Sequence, residues 1–164
     1  MAFGLPGSGQ NGPVQVSAKA DYALRALSEL AAAGGGPVKG AQLSSAQSIP
    51  PKFLENILIE LRHAGIILSQ RGAEGGYRLA RPAANIHLAD IIRAVDGPLA
   101  NVRGYRPEEV AYQGPAEHLV EVWIAVRASL RSVLETVTLD DLVSGRLPQP
   151  VIDLAEQPDA WLPH

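Results

Sequence analysis

Residues 49–82, IPPKFLENILIELRHAGIILSQRGAEGGYRLARP, constrain the fold more tightly than any other part of the chain. Pro51 suits the first turn of a helix, where its missing N–H leaves no bond unmade, and Gly65 suits the cap that ends it. Ile66–Arg71 is then β-branched and apolar, and reads as a strand. Gly76–Ala80 reads as a second strand, and Gly72–Gly75 as the turn that closes the pair into a hairpin. A glycine-rich loop beside arginines suggests a phosphate partner. A nucleotide-binding loop of the Walker type, however, needs a helix after the glycines and a Gly-Lys-Ser/Thr ending. Here the loop runs into a strand and Pro82, so neither that loop nor a dinucleotide fingerprint fits.

Two more helices precede this segment. Ser17–Ala33 offers a serine N-cap and an apolar face of Tyr22, Ala23, Ala26, Leu27 and Leu30, and Gly34–Pro37 ends it. A short helix is expected from Lys39 or Gly40 to about Gln47, with Ala41, Leu43 and Ala46 facing inward. Three helices followed by a hairpin give the winged helix-turn-helix order. The fold class expected is mainly α with a small β-hairpin. At about 100° per residue, the third helix places Phe53, Leu54, Ile57, Leu58 and Leu61 on one face. Lys52, Glu55, Asn56, Ile59, Arg62 and His63 lie opposite. A cation, an amide and an aliphatic group together suit a major groove, although many amphipathic helices carry such a solvated face. In the hairpin the glycines would serve the turn and let backbone approach a phosphate, with Arg71 and Arg78 flanking the tip.

Charge is divided along the chain. Residues 1–98 carry nine Lys/Arg against seven Asp/Glu, and residues 99–164 five against ten, which points to two regions with different tasks. There is no cysteine, which excludes disulfides and thiolate-ligated metal and fits a reducing cytoplasm, where the chain is expected to reside. The four histidines, His63, His87, His118 and His164, have no metal-like spacing, so neither metal nor cofactor is expected. No set of nucleophile, base and orienting group nominates an enzyme. No apolar run is long enough for a membrane span. Residues 1–15, MAFGLPGSGQNGPVQ, lack a signal-peptide pattern and read as a disordered leader.

The chain resembles the Rrf2 family of bacterial winged-helix transcriptional regulators. The resemblance rests on KADYALRAL (Lys19–Leu27), IPPKFLENILIELRHAGII (Ile49–Ile67), RGAEGGYRLARP (Arg71–Pro82) and IHLADIIRAVDGPL (Ile86–Leu99), and spans about residues 16–145. It implies a homodimer that binds double-stranded DNA at a partly palindromic operator and often represses. It implies a recognition helix at Pro51–Ala64 that includes Pro51, Lys52, Asn56, Ile59, Arg62 and His63. It further implies a wing tip at Arg71–Gly76 with Gly75, Gly76 and Arg78, and a further approach to DNA at Ser17, Lys19 and Tyr22. Cluster-binding relatives carry three cysteines after the segment matching DGPL, where this chain reads ANVRGYRPEEVAYQGPAEH. No cysteine-ligated iron–sulfur cluster can form there.

Beyond the winged domain, expected over 16–98, lies a linker or sensor segment over 99–116. Its Arg103, Tyr105, Arg106 and Tyr112 admit two readings. One is a pocket for a small anionic or aromatic effector. The other is a solvated loop with the tyrosines packed on the next helix. That helix, within 117–145, carries Leu119, Trp123, Val126, Leu130, Val133 and Val137 at alternating spacings of four and three. Such a stripe suits a second copy of the chain, or the chain's own winged domain. Thr138–Gly145 reads as a short capped helix, and residues 146–164 as a proline-rich, acidic tail that wraps on the surface or stays disordered. A winged-helix module that binds protein rather than DNA is the competing function.

Overall fold

The computed structural model describes residues 16–163, so the leader expected over 1–15 lies outside the described residues, as does His164. In chain order the helices are α1 (Ala18–Ala32), α2 (Gly40–Gln47), α3 (Pro51–His63), α4 (Leu88–Asp96), α5 (Leu119–Leu134), α6 (Leu139–Ser144) and α7 (Gln149–Ala155). Strands β1 (Ile67–Gln70) and β2 (Gly76–Leu79) fall between α3 and α4.

Helix α1 is the hub. The Ser17 hydroxyl oxygen caps it by accepting from the Ala20 N–H at 2.9 Å, and the hydroxyl donates to Asp96 at the end of α4. Ala20, Ala23 and Ala26 are fully buried, and their small side chains let neighbouring backbones approach. Helices α2, α3, α4 and α6 and strand β2 all pack against α1. Leu27 and Leu30 of α1, Leu43 of α2, and Leu54, Ile57 and Leu61 of α3 fill the centre. Three residues expected inside are outside: Ala41 and Ala46 of α2 are exposed, and Phe53 of α3 is 61% exposed. Helix α2 is only eight residues long and has a single fully buried side chain, Leu43. Phe53 sits at the rim of the apolar face, where its ring meets the Tyr22 ring edge-on at 6.5 Å.

The hairpin is antiparallel in the register Ile67↔Leu79, Leu68↔Arg78, Ser69↔Tyr77 and Gln70↔Gly76. On the other edge of β2, Val38 and Tyr77 exchange two backbone hydrogen bonds of 2.8 Å, which ties the wing to the residues before α2. This pairing explains two glycines. A Cβ on Gly75 would lie 2.2 Å from the Gln70 carbonyl oxygen, and one on Gly76 would lie 2.6 Å from that of Val38. Their first role is close approach of the chain to itself.

After α5 the chain returns to the winged body. The Leu88 N–H donates to the Val137 carbonyl at 3.0 Å and the Leu139 N–H to the Ile86 carbonyl at 2.9 Å. Leu139 is fully buried in the core formed with α1. Thus α6, grouped with the long helix in the sequence reading, packs against α1 instead. Thr138 and Asp141 cap it reciprocally, and Gly145 ends it in the left-handed region. The C-terminal tail, expected to wrap on the surface or stay disordered, forms α7 and a 3-10 turn at Pro158–Trp161. Pro150 and Pro158 fall in the first turns of these elements, where no N–H is needed.

Replacing Leu27 by alanine should leave a cavity at the hub and destabilise the fold by about 2–5 kcal/mol, as read by denaturant unfolding. Gly75→Ala should force the wing apart at the Gln70 carbonyl. Hydrogen exchange of the Arg78 and Tyr77 amides, which bond across the hairpin and to Val38, should accelerate while that of α1 amides stays slow.

Candidate nucleic-acid interface

Helix α3 turns Lys52, Glu55, Asn56, Ile59, Arg62 and His63 outward, and all six are exposed. Ile59 is 45% exposed, and with Phe53 it gives this face two apolar groups beside Asn56. A shallow cleft of about 310 Å³ lies between α1 and α3, lined by Lys19, Phe53, Asn56, Ile57, Ile59 and Glu60. Sequence reasoning had placed Phe53 in the core and missed it as a surface group. A second groove, of about 630 Å³, runs between α2 and α3 past Pro51 and Lys52 to Tyr77. The Arg62 guanidinium donates to the Ser69 hydroxyl at 3.4 Å, which links the end of α3 to β1. Arg62 and His63 also sit in the last turn of α3, where the negative helix end favours positive charge.

The cations of the winged body fall into two groups. Lys19 pairs with Glu60 at 2.8 Å, Arg25 with Asp21 at 3.1 Å and Arg81 with Asp90 at 3.6 Å; Arg93 pairs with Glu135. Arg25 also donates to the Gln47 carbonyl and lies over the Tyr22 ring at 5.4 Å, so it stitches α1 to the end of α2. Among the described residues, Lys39, Lys52, Arg62, Arg71 and Arg78 form no ion pair. These unpaired cations belong to α3, the wing and the start of α2. Lys39 was missed by sequence reasoning because the Val38–Tyr77 pairing that brings it beside the wing has no local signature. Lys19 is tied to Glu60, whereas Ser17 and Tyr22 serve first as the cap of α1 and as a packing surface for Phe53 and Arg25.

The four residues singled out in the 99–116 segment do not converge. Arg103 and Tyr105 sit in a tight turn closed by Val102–Tyr105 backbone bonds of 2.8 and 3.0 Å, and both are exposed. The Tyr112 hydroxyl accepts from the Trp123 indole N–H at 3.0 Å, which joins the segment to α5. Arg106 instead lines a cleft with Arg93, Arg127 and Arg131. On α5, Leu119, Trp123, Val126, Leu130 and Val133 are at most half-buried, and no residue of the helix is fully buried. Val137, beyond the end of α5, is buried.

A trihelical body with an antiparallel wing and an outward-facing third helix defines a winged helix-turn-helix protein. The family profile of Rrf2, described as iron-dependent transcriptional regulators, matches residues 16–145. A Mycobacterium tuberculosis protein, Rv1287, named as an HTH-type transcriptional regulator, is 51% identical over 87% of this chain and 89% of its own length. The structure of CymR, the global cysteine regulator of B. subtilis, matches with a TM-score of 0.69 at 34% identity, covering 81% of this chain and 98% of that one. T. potens IscR matches with a TM-score of 0.65 at 30% identity, covering 85% and 96%. The chain belongs to the Rrf2 family of transcriptional regulators.

The iron in that family description finds no fitting donor set here. The chain has no cysteine, and among the described residues no three His, Asp or Glu side chains cluster as metal ligands would. Anaerobic incubation of the purified protein with ferrous iron and sulfide should therefore yield no cluster chromophore in the visible absorption spectrum.

Proposed function

We infer that the chain acts as a homodimeric, sequence-specific DNA-binding repressor, reads a partly palindromic operator and has no enzymatic activity. The observation that carries this reading is the sorting of cations. Within the winged body, charges that hold helices together are paired, while Lys52 and Arg62 of α3 and Arg71 and Arg78 of the wing are left to solvent. Unpaired cations can replace condensed counterions on a phosphate backbone. Asn56 is placed to read adenine, and Ile59 and Phe53 to meet thymine methyl groups. Gly75 and Gly76, Pro51, His63, and Ser17, Lys19 and Tyr22 complete the surface. Lys19 would have to exchange Glu60 for phosphate.

Helix α5, which has no fully buried residue and leaves Leu119, Val122 and Ile124 exposed, supports pairing with a second copy through Leu119, Trp123, Val126, Leu130 and Val133. Two-fold symmetry then sets the recognition helices about one DNA turn apart. Among the described residues no helix is long and apolar enough to cross a membrane, and the cytoplasm is the compartment this reading assigns. An effector bound near the 99–116 segment would act at the junction of α5 and the winged body.

Sequencing of genomic fragments captured by the purified protein should recover a few sites with a shared two-fold motif. For such a site, Arg71→Ala or Arg78→Ala should each reduce the slope of log affinity against log salt by about one unit. Unchanged slopes, with no fragment enriched over a variant lacking both arginines, would instead favour a protein-binding module. Leu130→Glu should yield a folded monomer in analytical ultracentrifugation and weaken binding to the full operator far more than to a half-site.

A further inference from the structure

Three of the five basic residues in the acidic half of the chain, Arg106, Arg127 and Arg131, meet in one place, where Arg93 of α4 joins them. They line an open cleft of about 460 Å³ over the Gly97–Leu99 turn, a volume in the range of small-molecule sites. Each comes from a different structural cause. Arg93 projects from the last turns of α4, Arg106 precedes the 3-10 turn at Pro107–Glu109, and Arg127 and Arg131 occupy successive turns of α5 on one face.

Three of the four guanidinium groups share two carboxylates. Glu135 accepts from Arg93, and from Arg131 at 3.0 Å, while Glu108 accepts from Arg127. Hydrogen bonds first from Arg93 and then from Arg131 hold the Glu135 carboxyl below its usual range. Glu108 is held low first by its own backbone N–H and then by Arg127, and the charge of Arg106 adds to this. Both carboxylates are therefore ionised at neutral pH; the cleft lining itself carries four arginines against one carboxylate, Glu108, while Glu109 accepts from the Arg106 backbone N–H at 2.9 Å. Arg106 is near enough to influence Glu108, yet among the described residues it forms no ion pair. Arginine forks match the paired oxygens of carboxylate and phosphoryl groups.

We propose that this cleft binds a small organic dianion, a phosphate monoester or a dicarboxylate, with Arg106 as its unshared ligand and Arg93, Arg127 and Arg131 around it. The proposal names a ligand class for the effector in the reading above, and it is independent of whether the chain reads DNA. A dianion offers oxygens to several of these guanidinium forks at once, whereas a small monoanion engages one. The occupant would bridge α4 of the winged body and α5, the two elements whose relative setting fixes the spacing of two recognition helices in a dimer.

The test is isothermal titration calorimetry on the full chain without DNA, at constant ionic strength, with inorganic phosphate, succinate and, as a monoanion control, acetate. Saturable one-site binding is expected for phosphate or succinate and not for acetate, and whichever binds identifies the ligand chemistry. Arg106→Gln should weaken it about tenfold, as loss of one charged hydrogen bond does, while Arg146→Gln leaves it unchanged. Because Arg106 has no ion pair to lose, a matching thermal melt should show the variant folded. Absence of saturable binding by both dianions overturns the proposal. So does equal affinity in the Arg106 variant, since the dianion then sits elsewhere, including on the exposed cations of α3 and the wing.

Discussion

The close packing against α1 is the contact on which the other elements depend. Three fully buried alanines on one helix, Ala20, Ala23 and Ala26, allow four helices and a strand to converge on it. Larger residues there would push α3 and β2 outward, and the geometry between the exposed helix face and the wing would change with them. The same helix carries polar fastenings at its margins. Ser17 reaches Asp96 of α4, Lys19 reaches Glu60 of α3 and Arg25 reaches the end of α2. One apolar hub with a polar rim thus positions both the body and the candidate interface.

Much of this was legible locally. Ser17, Pro51, Gly65, Thr138 and Gly145 mark helix ends through chemistry that acts within a few residues, and the structure places ends at or beside them. The hairpin was legible from its glycines, although the reason for them was not. Gly75 and Gly76 are required where the chain meets Gln70 and Val38, and the Val38 contact crosses almost forty residues. Periodicity assigned Phe53 to the core because it marks a helical face but not the edge of that face, and Ala41 and Ala46 differed for the same reason. The outward residues of α3 were legible because they lie opposite Leu54, Ile57 and Leu61.

The candidate interface was read more completely than the electrostatics around it. Which cations are free depends on acids distant in sequence: Glu60 for Lys19, Asp90 for Arg81, Glu135 for Arg93. No local pattern reveals those pairings, so Lys19 and Lys52 look alike in the sequence and differ in the fold. The arginine cleft escaped for the same reason, since its members span Arg93 to Arg131. Arg103, Tyr105, Arg106 and Tyr112 share the 99–116 segment in the sequence, but the tight turn at Val102–Tyr105 does not bring the first two to Arg106's cleft.

Helix α5 is held at two points. The 3-10 turn at Pro107–Glu109 packs against its middle, where Glu108 pairs with Arg127, and the bonds from Leu88 and Leu139 anchor the chain just after it stops. A rod clamped at two points behaves as a strut and not as a hinge. In a dimer built on that strut, the two reading heads would be held in fixed phase and would not swivel to follow an ill-spaced site. Compliance would then have to come from the nucleic acid, and flexible pyrimidine–purine steps between half-sites would enter the code without being touched.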